Sequence, residues 1–265
     1  MLRWYTTEMK KKRMQPLIVG NWKMNPGTLS EAKDIVAKVK RGTKAFLKTK
    51  VVLCPPSLYL SEIQKTLGET RLAVGVQNVF TEEGGSFTGE VSAKQSASCG
   101  ATYAIIGHSE RRKMGETDAV VTKKALLAIR NGLTAILCVG ETERDVQGKY
   151  LAFLKEQITQ SLATLSAGEL KKLVIAYEPV WAIGAGAAMS AGQVHETGIY
   201  VRKVLSDLYD PVAASKVPVL YGGSVNAENC EAILKEGEVD GLLIGRQSLA
   251  PEDFIAIAKI ANDLK

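Results

Sequence analysis

The stretch Leu173-Val174-Ile175-Ala176-Tyr177-Glu178-Pro179 decides the fold of this chain. Its first five residues form one apolar run, which is typical of a strand buried on both faces. Pro179 has no N–H to donate to a sheet, so the strand is expected to end at Glu178. A carboxylate at the end of a buried strand is either a catalytic group or a structural ion-pair partner, and both interpretations stay open at this point.

Short apolar runs of the same kind recur along the chain and alternate with amphipathic segments. The predicted strands cover residues 17–19, 51–54, 72–76, 103–106, 134–139, 173–177, 217–221 and 241–244. Helical patterns lie between them, and the last covers residues 253–260. Eight strand-then-helix units over about 250 residues predict an α/β fold, a single (β/α)8 barrel with eight parallel strands. A doubly wound open sheet is the alternative, although the match of residues 184–189 to the dinucleotide-binding fingerprint is weak because Met189 replaces a small residue.

Composition and charge narrow the class of protein. The chain has 265 residues, of which 46% are hydrophobic, and its net charge is +6. A net charge of +4 falls in the first 14 residues, where Arg3, Lys10, Lys11, Lys12 and Arg13 outnumber Glu8. We therefore expect a basic N-terminal extension at residues 1–15 and one barrel domain at 16–265, without a nucleic-acid site. No apolar run is long enough for a membrane span or a signal peptide, which predicts a cytoplasmic protein.

The cysteines do not indicate a metal site. Cys54, Cys99, Cys138 and Cys230 are scattered and form no C-x-x-C pair, so we expect buried, reduced thiols.

Polar residues gather directly after the predicted strands, where barrel enzymes place their chemistry. Strand one is followed by Asn21-Trp22-Lys23-Met24, and strand four by His108-Ser109-Glu110. Strands seven and eight are followed by Gly222-Gly223-Ser224 and Gly245-Arg246. These two turns are expected to open onto helices whose free N–H groups suit a phosphate, although ordinary tight turns would look alike.

The two histidines have different settings. His108 lies between a strand end and a predicted helix start, where the positive end of the helix disfavours a charged imidazole. His195 lies in a helical pattern and is expected to be an ordinary surface residue.

Four motifs in order resemble the triosephosphate isomerase family: residues 20–25 (GNWKMN), 106–112 (IGHSERR), 176–184 (AYEPVWAIG) and 221–225 (YGGSV). The resemblance runs from about residue 16 to the C-terminus. It implies interconversion of dihydroxyacetone phosphate and D-glyceraldehyde 3-phosphate through an enediol, as in glycolysis and gluconeogenesis, with neither metal nor organic cofactor. This family is itself an established example of a site that combines a carboxylate base, a neutral histidine and a closing loop.

The resemblance also implies residue roles. Glu178 matches the base and His108 the electrophile, while Asn21 and Lys23 match groups that stabilise the oxyanion and hold the phosphate. Glu110 matches a carboxylate that supports Lys23. The resemblance also implies a phosphate contact at Gly184, and the two turns are expected to add Ser224, Gly245 and Arg246. The matching lid comprises Pro179, Val180, Trp181, Ala182, Ile183, Gly184, Ala185, Gly186, Ala187, Ala188 and Met189.

Two segments depart from the family pattern. The lid usually reads Gly-Thr-Gly-Lys before small residues and a proline, whereas residues 185–191 here are small or apolar except for Ser190. We expect an active enzyme with an altered lid equilibrium. The strand-eight turn usually has two glycines, but Arg246 follows Gly245 here. Arg246 is either strained by a positive φ or, as we expect, adopts helical-start angles.

The segment 77–90 resembles the loop that interlocks the family's subunits. The resemblance implies a homodimer in which Thr88, near Phe87, reaches the partner close to its Asn21, with Met24 in the interface. Two rival functions remain: an isomerase of a larger phosphosugar, and a phosphate-ligand binding protein that has lost turnover.

Overall fold

The barrel closes on itself through eight parallel strands. The computed structural model describes residues 14–182 and 189–264. The strands are β1 (Leu17–Asn21), β2 (Lys50–Cys54), β3 (Ala73–Val76), β4 (Tyr103–Ile106), β5 (Thr134–Val139), β6 (Leu173–Tyr177), β7 (Val219–Tyr221) and β8 (Gly241–Ile244). Each strand pairs with the next, and β8 returns to pair with β1. The predicted fold is therefore confirmed, and the open sheet is excluded.

Helices surround the strands. They are α1 (Leu29–Gly42), α2 (Leu60–Leu67), α3 (Ala93–Ser98), α4 (Ser109–Lys113), α5 (Asp118–Arg130), α6 (Lys149–Ser161), α7 (Ala191–Leu208), α8 (Pro211–Ala214), α9 (Cys230–Lys235) and α10 (Pro251–Asp263). Local sequence explains several of their starts. Thr28 caps α1 and Ser190 caps α7, each in a reciprocal capping box with the residue three positions later.

The core has two parts that follow from the strand pleat. Side chains such as Val19, Val52 and Ile136 fill the interior of the barrel. The alternate residues, such as Ile18 and Ile175, pack outward against the helices. Both faces of each strand are thus buried, which explains why the strands appear in the sequence as continuous apolar runs.

Three sequence predictions need correction besides small shifts in the bounds of β1, β2, β3 and α10. Strand β7 begins at Val219 instead of residue 217, and Pro218 directly before it has no N–H for the sheet. The turn after β7 does not open onto a helix at Ser224, because α9 begins only at Cys230. The prediction of four buried thiols was wrong at Cys99, which is exposed, whereas the other three are buried and all four are free.

Parts of two predictions lie outside the described residues. These are residues 1–13 of the basic extension and residues 183–188 of the lid, including the expected phosphate contact Gly184. Within the described ranges, no helix is both long and apolar enough to cross a membrane.

Candidate active site

Glu178 and His108 meet at the carboxyl ends of β6 and β4. Glu178 Oε1 lies 2.9 Å from His108 Nε2, and Glu178 Oε2 accepts a hydrogen bond of 3.0 Å from the Ser109 N–H. Only 2% of Glu178 is exposed. No Lys or Arg pairs with it among the described residues, so nothing here supports the interpretation of Glu178 as a structural ion-pair partner.

The hydrogen bonds of His108 define its tautomer. His108 is the residue before α4, and its Nδ1 accepts from the Glu110 N–H at 3.2 Å. An accepting Nδ1 carries no proton, so the proton of the neutral ring sits on Nε2, facing Glu178. His195, by contrast, lies on α7 with its Nδ1 3.8 Å from the exposed Glu238, away from this site.

Lys23 places a positive charge at the same end of the barrel, the carboxyl ends of the strands, which we call the barrel mouth. Its Nζ lies 2.6 Å from Glu110 Oε1, and its backbone N–H donates to Asn21 Oδ1 at 3.0 Å. Burial raises the pKa of Glu110, but the hydrogen bond and charge of Lys23 outweigh it, so the pKa falls below its usual value. Lys23 also has a φ of 53°. Such a conformation is strained for a long side chain and is often found at functional sites.

The turn after β8 lies beside Lys23. A Cβ placed on Gly245 would be 3.6 Å from Lys23 Cε. Arg246 is exposed and begins the 3₁₀ helix Arg246–Leu249, and it is absent from the positive-φ residues. The helical-start alternative is therefore correct. The first N–H groups of a helix have no partner within it, so this turn offers donors to an anion. Ser224, on the β7 turn, is also exposed.

Two glycines form the walls around Glu178. A side chain on Gly140 would overlap the carbonyl group of Glu178, and a Cβ on Gly222 would lie 3.0 Å from its Cγ. The Gly222 N–H donates to the Tyr177 carbonyl at 2.7 Å, and the Glu178 N–H to the Val139 carbonyl at 2.8 Å. Neighbouring strand ends thus fix the backbone and the stem of the carboxylate.

A second carboxylate, Glu141, contacts the first residues of the predicted lid, and sequence reasoning missed it. Its Oε1 accepts from the Tyr177 hydroxyl and from Trp181 Nε1, both at 2.8 Å. Its backbone carbonyl accepts from the Val180 N–H at 3.1 Å. Glu141 is 1% exposed. Its position could have drawn attention to it, since Glu141 lies two residues after the end of β5, much as Glu178 lies directly after the end of β6.

A cavity of about 190 Å³ lies behind Glu178. It extends from Glu178 and Ser109 to Gln157 and Phe153 on α6, and neither Asn21, Lys23 nor His108 lines it. Glu178 therefore borders both this cavity and the barrel mouth. Cys138 also lines the cavity, and burial, followed by the nearby Glu178 charge, raises the pKa of this thiol well above its usual value.

The described residues contain no cluster of three or more His, Cys, Asp or Glu that could hold a metal ion. The barrel mouth instead contains the carboxylate of Glu178, the neutral imidazole of His108 and the ammonium group of Lys23.

A closed (β/α)8 barrel with these groups at the carboxyl ends of its strands defines a barrel enzyme that moves protons by acid–base chemistry. Residues 16–261 match the family model for triosephosphate isomerase. The chain also resembles the crystal structure of triosephosphate isomerase from Bartonella henselae, with a TM-score of 0.82 and 34% identity, covering 93% of this chain and 99% of that one. The chain belongs to the triosephosphate isomerase family and is an isomerase.

Proposed function

We propose that this chain interconverts dihydroxyacetone phosphate and D-glyceraldehyde 3-phosphate, and that the residues at the barrel mouth carry out the reaction. The observation that carries the proposal is the Glu178–His108 pair, a buried carboxylate 2.9 Å from a neutral imidazole, in a chain of this family. Moving a carbonyl between adjacent carbons needs one base, one electrophile and a grip on the rest of the substrate.

Glu178 is the proposed base. Its carboxylate removes a proton from the carbon next to the carbonyl, which leaves an enediolate, and returns it to the neighbouring carbon. The buried position keeps water away from the base. The two hydrogen bonds it now accepts, from His108 and Ser109, would be given up or weakened when substrate occupies the mouth.

His108 is the proposed electrophile. Its Nε2–H can transfer its hydrogen bond from Glu178 to the substrate carbonyl oxygen, which develops negative charge as the carbon loses its proton. A neutral ring is suited to this step because it both donates a proton to the enediolate oxygen and recovers one. The Glu110 N–H bound to Nδ1 supports that neutral form.

Lys23, Asn21 and the two turns are the proposed grip on the phosphate. Lys23 supplies charge, and Glu110 fixes its position through the 2.6 Å ion pair. The β7 turn at Ser224 and the β8 turn at Gly245 and Arg246 supply backbone N–H groups. Binding energy from this non-reacting handle is used to orient the substrate and close the site.

The described residues at the two ends of the predicted lid are held by contacts with the barrel. Val180–Ala182 form a 3₁₀ turn tied to Glu141, and Met189, at the far end of the lid, is buried against the Tyr177 hydroxyl at 3.6 Å. Both ends of the lid are thus fixed to the same tyrosine–glutamate pair. We propose that the lid excludes water from the bound substrate.

We also propose a cytoplasmic homodimer that acts without nucleic acid or a membrane. Met24 is 93% exposed and Phe87 44%, while Thr88 is exposed beside Phe87 on the 77–90 loop. The centres of the Phe80 and Phe87 rings lie 4.8 Å apart. Glu82 pairs with Lys123 of α5, and Glu83 accepts a hydrogen bond from the side chain of Asn131 directly after α5, so the loop is held against that helix. Two exposed apolar side chains, Met24 after β1 and Phe87 on the 77–90 loop, suit an interface. Light scattering at micromolar concentration should give the dimer mass, and a purely monomeric solution contradicts this part.

The catalytic proposal is tested by measuring isomerisation of glyceraldehyde 3-phosphate. Glu178→Gln keeps the shape but removes the base, so kcat is expected to fall by about 10²–10⁴-fold or more. Exposed Glu228→Gln is the matched control and should leave kcat unchanged. Equal rates for Glu178→Gln and the unmodified chain would exclude Glu178 as the base. Binding of substrate without turnover by the unmodified chain would instead favour a binding protein.

A further inference from the structure

A second cavity lies at the opposite end of the barrel from Glu178. It has a volume of about 520 Å³ and sits between the end of α1, the start of β2 and the segment that precedes β3. We call it the basal pocket and define it by Lys40, Arg41, Lys44, Phe46, Glu69 and Arg71. These residues lie at the amino ends of parallel strands, whereas the catalytic residues lie at the carboxyl ends.

The basal pocket concentrates positive charge. Lys40, Arg41, Lys44 and Arg71 line it, and Glu69 is the one acidic residue in its lining. The entire chain has a net charge of +6, and a net charge of +4 belongs to the first 14 residues. The excess of cations over acids in this one pocket therefore exceeds the net charge of the whole chain beyond residue 14.

These cations also lack the acidic partners that their neighbours have. On α1, Lys33 pairs with Glu62 and Lys38 with Glu252, and Lys65 of α2 also pairs with Glu62. Within residues 14–182 and 189–264, none of the four pocket cations forms an ion pair, and Lys40 donates only to the Thr66 carbonyl at 3.3 Å. Four cations that converge with only one acidic residue, Glu69, in the lining repel one another, and an anion relieves that repulsion.

Helix ends alone do not account for the arrangement. Lys40 and Arg41 lie in the last turn of α1, where cations are favourable whatever the function. Lys44 and Arg71 lie outside the helices, in segments well separated in sequence, and face the same cavity. Between the cations the floor is mixed: buried Val51 and half-buried Phe46 and Leu72 supply an apolar part, and the hydroxyl-bearing Thr43, Thr49 and Thr70 line the rest.

We propose that the basal pocket binds a small organic polyanion of nucleotide size, with its phosphoryl groups on the basic rim and its planar part on the apolar part of the floor. A volume of this size lies within the range of about 300–1,000 Å³ that is typical of small-molecule sites. Arginine guanidinium groups pair with phosphates and stack on planar rings. This site is distinct from the mouth that receives the triose phosphate and does not depend on the catalytic proposal.

The test is isothermal titration of the full chain with ADP at low salt, without divalent cations, compared with inorganic phosphate and with adenosine. We expect ADP to bind once per chain and more tightly than either fragment. Lys44→Glu with Arg71→Glu should weaken ADP binding by about tenfold or more, because two attractions become repulsions. The milder pair Lys44→Gln with Arg71→Gln should weaken it less. Isomerase activity should be unchanged in both variants.

Two controls locate the binding. Lys155→Glu with Lys216→Glu changes the net charge equally at positions outside the pocket and should leave ADP affinity unchanged. Lys23→Ala removes the cation of the barrel mouth and should also leave it unchanged. The proposal is overturned if ADP does not bind, if the pocket variants bind it as the unmodified chain does, or if Lys23→Ala abolishes binding. Equal affinity for adenosine or for phosphate alone would overturn the assigned ligand class.

Discussion

Gly222→Ala tests whether close packing of neighbouring strand ends fixes the position of Glu178. The new Cβ would lie 3.0 Å from Glu178 Cγ and 3.3 Å from the Tyr177 carbonyl oxygen. Carbon atoms pack best at about 3.5–4.0 Å, so the stem of Glu178 must retreat by about 0.5–1 Å. Glu178 is 2% exposed and held by His108 and Ser109, so it cannot relax into solvent.

The expected result is a fall in kcat with the fold retained. A displacement of about 1 Å costs about 10²-fold, so a decrease of about 10–100-fold, or about 1.4–2.7 kcal/mol of transition-state stabilisation, is expected. The φ of Gly222 lies outside the left-handed region, so alanine causes no backbone strain there. Overpacking should lower the free energy of unfolding by about 1–3 kcal/mol.

Steady-state kinetics with glyceraldehyde 3-phosphate, together with urea unfolding, provides the measurement. Gly192→Ala is the matched control, because no atom lies within 4 Å of a Cβ at that position of α7. It should keep kcat and should not lower the free energy of unfolding. A folded Gly222→Ala enzyme with kcat within about threefold of the unmodified chain would refute the reasoning, since so small a change corresponds to under about 1 kcal/mol.

Three further predictions concern the lid, acid stability and the N-terminal extension. Trp181→Phe removes one donor from buried Glu141 and should lower the free energy of unfolding by about 1–3 kcal/mol in urea titrations; an unchanged midpoint would show that the bond does not hold the lid. The pKa of Glu62 is lowered to about 2 by its hydrogen bonds and charge interactions with Lys33 and Lys65. Its stabilising effect is therefore full above the ordinary carboxyl pKa of 4.5 and is lost as pH falls toward 2. The stability difference between the unmodified chain and Glu62→Gln should shrink over that interval, and a difference independent of pH would contradict the assignment. Deleting residues 1–13 should leave kcat unchanged, and a clear loss would give the basic extension a role in the site.

Much of the fold could be predicted from the sequence because both faces of every strand are buried. That requirement makes each strand an apolar run, and strands β4, β5, β6 and β8 have the predicted bounds. Strand β1 extends two residues further than predicted, to Asn21, because Asn21 still pairs with Cys54 of β2. The apolar run stops before polar Asn21, so the sequence pattern alone does not show that Asn21 still pairs with β2.

The candidate site was less accessible to sequence reasoning where it depends on contacts between distant segments. The positions of Glu178 and His108 follow from their strand ends, but their hydrogen bond does not. The strain at Lys23 was missed, since nothing in its side chain favours a positive φ. Glu141 was missed because its importance comes from the hydroxyl and indole groups that reach it from the following strand and lid. The exposed position of Cys99 likewise depends on which side of its turn faces solvent.

The pairing of β1 with β8 has a consequence for how activity arises during synthesis. Leu17 lies opposite Gly241, so the ring cannot close until nearly the whole chain has left the ribosome. Lys23 and Glu110 are 87 residues apart, and Ser109 and Glu178 are 69 apart. Contacts across such separations form late because the intervening chain must first be ordered. A nascent chain that has passed its sixth strand therefore already contains Lys23, His108 and Glu178, yet the barrel that holds their strand ends together closes only when the last strand arrives.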